Sequence, residues 1–203
     1  MRLFVALAPP DSALDDLEAA WTPLRSGRDD LRWTNREAWH VTLAFLGEVS
    51  EDVVVRLAPR LERAARRHRV FPLAFAGSGA FPRPERANVL WCGLSGDHKA
   101  LGELAASVGA GARRAGALPP DEGRKYRPHL TLARCRAPSD VTGLVERLSG
   151  YHGESWPARE IYLINSRLRE RPRYEILGRW PLRPDSASPG SEPRPAAQLA
   201  PPD

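Results

Sequence analysis

A chain of 203 residues, 42% of them hydrophobic, can form one large domain or two small lobes around a shared core. Its net charge of +5, from 30 Lys and Arg against 25 Asp and Glu, suits a polyanionic partner such as RNA without demanding one. No apolar run approaches the roughly 18–20 residues of a membrane-spanning helix. The two cysteines, Cys92 and Cys135, lack a metal-binding spacing and read as small apolar packing residues.

Residues 3–8 read as a strand closed by Pro9-Pro10. Acidic residues follow at once at Asp11, Asp15 and Asp16, which argues against a signal peptide, so a cytoplasmic chain is expected. Asp11 or Ser12 can cap a helix running to residue 24, with Leu14, Leu17 and Trp21 on one face. Residues 39–46 form a second strand, ended by Gly47. Ser50 caps the next helix, whose first turn carries Glu51 and Asp52 where the helix dipole favours negative charge. Val54, Leu57 and Leu61 mark its apolar side, and it ends in a basic stretch at 66–69.

Strands at 70–76 and 88–94 are expected to flank a Gly- and Pro-rich connection at 77–87. A helix over 98–115 follows, weakened by Gly102, Gly109 and Gly111, then a loop at 119–123. A strand at 129–135, a helix at 139–148 and a strand pair at 160–166 and 174–182 complete the domain, which spans 1–182. Residues 183–203 are rich in Pro, Ser and Ala, with Leu199 the single large apolar residue. Such a segment cannot bury enough apolar surface to offset its ordering entropy, so a disordered tail is expected. Strands and helices do not strictly alternate, which predicts an α+β fold with antiparallel pairing.

A short motif occurs twice: His40-Val41-Thr42-Leu43-Ala44 and His129-Leu130-Thr131-Leu132-Ala133. In a strand, residues i and i+2 share a face, so each copy presents an imidazole and a hydroxyl together and turns its aliphatic residues to the core. With five His and five Thr in the chain, chance gives roughly 0.1 His-x-Thr triplets, so two matched copies are a signal. One copy per half implies two related lobes facing a cleft.

Cleaving a phosphodiester calls for a base, an acid and donors to the non-bridging oxygens. Histidine can be base or acid near neutral pH, and threonine hydroxyls are donors. His68, His98 and His152 fall at a basic helix end, a helix start and a loop, without a ligand spacing, and read as surface residues; no metal site is expected.

Paired His-x-Thr-hydrophobic motifs resemble the signature of the 2H phosphoesterases. The flanks resemble the bacterial RNA 2′,3′-cyclic phosphodiesterases, also called 2′-5′ RNA ligases. The similar stretches are Arg2-Leu3-Phe4-Val5-Ala6, Arg32-Trp33 and the run from His40 to Val49. Further on they are Gly79-Ala80-Phe81-Pro82, Val89-Leu90-Trp91, the run from Arg127 to Arg134, Ser166-Arg167-Leu168, Tyr174 and Trp180-Pro181-Leu182. The resemblance covers residues 1–182 and implies a bilobal fold of two pseudo-symmetric lobes, antiparallel sheets plus helices, around a central cleft.

It also implies hydrolysis of RNA 2′,3′-cyclic phosphate ends to a 2′-phosphate without a cofactor. His40 would be the proton donor and His129 the proton acceptor, with Thr42, Thr131 and Arg134 on the phosphate. Strict alternation puts Arg134 opposite His129, so its role requires a bulge or a strand end. The stretch 169–173 lacks a glycine expected before Tyr174. Two alternatives remain open: 2′-5′ ligation by the same histidines in reverse, and a non-catalytic RNA- or nucleotide-binding module. Intact motifs argue against the second. No feature calls for an obligate protein partner, and a monomer is expected.

Overall fold

The computed structural model describes residues 1–117, 125–167 and 174–184. In chain order these form β1 (Arg2–Leu7), α1 (Asp11–Trp21), β2 (Leu31–Trp33), β3 (Val41–Glu48), α2 (Glu51–Arg67), β4 (Phe71–Phe81) and β5 (Ala87–Gly96). They continue with α3 (His98–Ala115), β6 (Leu130–Ser139), α4 (Thr142–Leu148), β7 (Trp156–Ala158), β8 (Glu160–Ser166) and β9 (Tyr174–Pro181). The loop at 119–123, the turn before Tyr174 and the tail from 185 onward lie outside the described residues.

The strands make two antiparallel sheets, one in the order β3-β1-β8-β9 and the other β2-β6-β5-β4-β7. The α+β architecture with two lobes is therefore as expected. Strand alternation divides each sheet into a core face and an open face. Leu3, Val5 and Leu7 of β1 point into the core with Val41 and Leu163, and so do Leu90 and Cys92 of β5 with Leu130. Burying each such leucine contributes about 1.5–3 kcal/mol. α2 and α3 lie against each other through Leu57, Leu61, Leu104 and Val108, and the Arg56 Nε donates to the Ala115 carbonyl at 3.1 Å.

α3 has the bounds read from the sequence because both ends carry chemical stops. The Asp97 carboxylate accepts from the Ala100 amide at 2.9 Å. Gly116 takes a left-handed φ of 96° and returns its N–H to the last carbonyls. In α2 the Ser50 hydroxyl bonds the Asp52 carboxylate instead of capping the backbone.

The expected connection at 77–87 is corrected: β4 runs on to Phe81, and the link to β5 shrinks to a short turn at Pro84–Arg86. The two glycines there act inside the strand: Gly77 takes a left-handed φ of 60° at an irregularity in the ladder, and Gly79 gives room to a ring. A register shift falls between Phe75 and Ser78, and a Cβ on Gly79 would overlap the Trp91 indole lying on it. β2 and β7, three residues each, were not anticipated. Neither was the half-buried position of His68, whose Nε2 lies 2.8 Å from the Ser107 hydroxyl of α3. His98 and His152 are exposed as expected. Arg183, assigned to the tail by composition, pairs with the chain end of α2. Its amide donates to the His68 carbonyl at 2.8 Å and its carbonyl accepts from Val70 at 2.9 Å.

Candidate active site

The two motifs sit on the open faces of the two sheets. His40 immediately precedes β3 and His129 immediately precedes β6. In β3, Thr42 pairs with Ala6 and Ala44 with Val5, so Leu43 is an extra residue, a β-bulge. In β6, Thr131 pairs with Trp91 and Ala133 with Leu90, so Leu132 is the extra residue. Both copies of the motif therefore bulge at the same position. A bulge moves the following residues to the other face. Arg134 consequently shares the face of Thr131, and Phe45 shares the face of Thr42. The bulge that Arg134 requires is present.

This bulge is latched. The Thr34 hydroxyl, just beyond β2, bonds the carbonyls of Thr131 and Leu132 at 2.8 and 2.9 Å. It accepts from the indole N–H of Trp39 at 3.0 Å. Trp39 is the residue before His40, so one hydroxyl joins the start of the first motif to the bulge of the second. Arg36, ion-paired to Asp11, Asp15 and Glu18, holds the same lead-in segment against α1.

His40 is walled in by aromatic rings. Phe4 stacks on it with centroids 4.6 Å apart, and Tyr174 meets it edge-on at 5.7 Å. Burial, then the positive charges of His129 and Arg134, depress its pKa to about 4. His129 is also lowered, by burial first; Arg134 adds to the effect, while a hydrogen bond to the Arg127 carbonyl opposes it. That bond spans 2.7 Å from Nδ1. A carbonyl can only accept, so Nδ1 carries the proton, and neutral His129 keeps a lone pair on Nε2. The three cationic groups lie close enough to perturb one another, which marks a place for an anion.

On the His129 side the open face continues into a cavity of about 550 Å³ lined by Phe81, Trp91, His98, Tyr126 and Arg127. Phe81 meets the His129 ring edge-on at 5.0 Å. Tyr126 reaches from this lobe to the other, donating to the Thr42 carbonyl at 3.0 Å. Thus all five residues singled out by the sequence border one region. Thr34, Tyr126, Phe4 and Tyr174 were missed as site residues. Their signal is tertiary, except that Phe4 and Tyr174 fall in stretches that resemble the family. Among the described residues, no three His, Cys, Asp or Glu are grouped to hold a metal, and no helix is long and apolar enough to cross a membrane.

Comparison with known proteins places the chain in a family. An RNA 2′,3′-cyclic phosphodiesterase of Archaeoglobus fulgidus is 32% identical over 162 residues, covering 79% of this chain and 86% of the relative. One of Aeropyrum pernix is 38% identical over 112 residues, 55% of this chain but only 61% of that protein's length. The crystal structure of Escherichia coli LigT complexed with 3′-AMP superposes with a TM-score of 0.71 at 27% identity, covering 89% of this chain and 97% of LigT. A family model, the 2′-5′ RNA ligase superfamily, matches residues 9–170. The chain belongs to the 2′-5′ RNA ligase superfamily, the 2H phosphoesterases.

Proposed function

We propose that this protein hydrolyses RNA 2′,3′-cyclic phosphate ends to 2′-phosphates. The observation that carries the reading is the tautomer of His129: its Nδ1 is committed to the Arg127 carbonyl, which leaves Nε2 free to take a proton beside His40 and Arg134. In the reaction, Nε2 of His129 removes a proton from water as the water oxygen bonds to phosphorus. The P–O3′ bond breaks, and His40 delivers a proton to O3′. Thr42, Thr131 and Arg134 hold the non-bridging oxygens, where negative charge builds.

Free His40 is largely neutral at neutral pH. The negative charge of the bound phosphodiester offsets His129 and Arg134, so substrate binding is what allows His40 to hold the proton it must donate. The names of the two relatives and the 3′-AMP held by LigT support RNA and nucleotides as the substrate class. The family model's description favours one second reading, in which the same groups run in reverse and join a cyclic phosphate to a hydroxyl.

The test is incubation of the purified protein with 2′,3′-cyclic mononucleotides and short RNAs, followed by phosphorus NMR. A 2′-phosphate is expected. A 3′-phosphate as sole product would reverse the roles of the histidines. A joined 2′-5′ product would favour ligation, and binding without turnover would leave only a binding module.

A further inference from the structure

Arg32 of β2 lies directly opposite Arg134 of β6 in the antiparallel pair. Directly opposed residues project to the same face, and like charges so placed repel. Among the described residues, no acceptor pairs with either guanidinium. Arg136, two residues further along β6, shares this face by alternation and donates through Nε to the Asp29 carbonyl at 3.2 Å. The three arginines line a groove of about 340 Å³ with Cys135. Asp30, the carboxylate at this edge, does not neutralise them. Arg28 holds it with two hydrogen bonds of 2.8 and 2.9 Å. The repulsion between Arg32 and Arg134 is therefore uncompensated within the described protein.

The open face of this sheet is divided by charge. Toward β5 and β4 the row that begins with Arg134 continues through Val89 to Phe81, and the row of Thr131 runs through Trp91 to Gly79. Neither row carries a charge on that side. Toward the free edge at β2 the row of Arg134 ends on Arg32, and the groove is lined by Arg32, Arg134 and Arg136, the nearby Asp30 being held by Arg28. A substrate with its reacting phosphate at Thr131 and Arg134 thus has, besides the cavity that Lys125 and Arg127 line beyond His129, a positively charged exit for further phosphates on the sheet itself, across Arg32 and Arg136. A 2′,3′-cyclic phosphate occupies both hydroxyl positions at the 3′ side of its nucleotide. The RNA chain can continue only through the 5′ oxygen. Two residues along a strand span roughly 6.6 Å, a step comparable to that between successive phosphates of one strand.

We propose that Arg32 and Arg136 form a second phosphate subsite, which takes the phosphodiester on the 5′ oxygen of the terminal nucleotide. The site makes the enzyme selective for the ends of RNA chains over cyclic mononucleotides. This inference rests on the proposed hydrolysis of cyclic phosphate ends.

The experiment compares wild type, Arg32→Ala, Arg32→Lys and Arg136→Ala on a 2′,3′-cyclic mononucleotide and on a trinucleotide ending in the same group, across a salt series. Wild type is expected to prefer the trinucleotide. Arg32→Ala should lower kcat/KM for the trinucleotide about tenfold, mainly through KM, as expected for losing one charge-assisted phosphate contact. It should leave the mononucleotide within about twofold, and Arg32→Lys should retain part of the preference. The slope of log kcat/KM against log salt for the trinucleotide should become shallower by about 0.7, the share of one contact on a single strand. Equal losses on both substrates, or an unchanged trinucleotide preference in both alanine variants, would overturn the subsite. Titration with a trinucleotide bearing a 2′-phosphate separates the two readings. If no cyclic phosphate is hydrolysed but Arg32→Ala still weakens this binding selectively, the proposed reaction fails and the subsite stands.

Discussion

The phenol of Tyr126 donates a hydrogen bond of 3.0 Å to the main-chain carbonyl of Thr42. Burial raises the pKa of this phenol above its ordinary value, so it remains a donor throughout the working range. The bond crosses the cleft from the segment leading into the second motif to the strand carrying the first. Tyr126→Phe removes the phenol's hydrogen bond to the Thr42 carbonyl. The expected cost is about 0.5–1.5 kcal/mol in a urea melt, together with a fall in kcat/KM because the two motifs lose a fixed separation. Tyr151→Phe is the control: its phenol bonds Asp16 at 2.8 Å, away from both motifs. It should affect the melt alone. Equal kinetics in the two variants would show that the cross-cleft bond does not position the site.

Replacing either imidazole should separate folding from chemistry. His40→Ala and His129→Ala are each expected to lower turnover by roughly 10²–10⁴-fold while retaining a cooperative melt, since neither side chain is part of the main core. Thr42→Ala and Thr131→Ala should cost on the order of 10–10³-fold, because each removes one donor to the phosphate. Part of that loss will appear in KM where the contact already exists in the ground state. Wild-type rates in a folded histidine variant would remove that residue from the mechanism.

The Thr34 hydroxyl is expected to act through Arg134. Thr34→Val keeps the shape but deletes the bonds to the Thr131 and Leu132 carbonyls and to the Trp39 indole. With the bulge unlatched, Arg134 loses its aim toward the Thr131 face. If so, the kinetic effects of Thr34→Val and Arg134→Ala will be strongly non-additive in a double-mutant cycle. Additive effects would make Thr34 a stabilising residue only.

Much of this site was legible in the sequence because its main signal is local. His40 with Thr42 and His129 with Thr131 are i, i+2 pairs, and period-2 alternation places each pair on one face whatever the rest of the fold does. α3 was legible to the residue because Asp97 and Gly116 stop it by backbone chemistry. Arg134 was ambiguous for a physical reason. Its face depends on one extra residue at Leu132, and a bulge is a relation between two strands, not a property of one. β4 was misread for a similar reason. Glycine at 77 and 79 signals a turn locally, yet Gly79 is required by the Trp91 ring that lies across it from another strand. Thr34 and Tyr126 act on carbonyls remote in sequence, and no local pattern marks them.

The pH behaviour follows from the two depressed histidines. Burial, His129 and Arg134 hold His40 at about 4 in the free protein, below its ordinary 6.5. Between these values the unfolded chain binds a proton that the folded one refuses, so stability rises with pH across this window. The full stability is present above about 6.5 and is lost as the pH falls toward 4, with His129 contributing in the same direction. His40→Gln should flatten that dependence in melts at pH 4–7. In the NMR titration of the free protein, the His40 ring should titrate near 4, and Arg134→Ala should move it upward by removing a neighbouring positive charge. Kinetics should show the substrate's effect on the same groups. The bell in kcat/KM reports free enzyme and should lie on the acid side of the bell in kcat, which reports the complex with its added negative charge. A free-protein His40 titrating at 6.5 or above, unaffected by Arg134→Ala, would show that the three cations do not share one site.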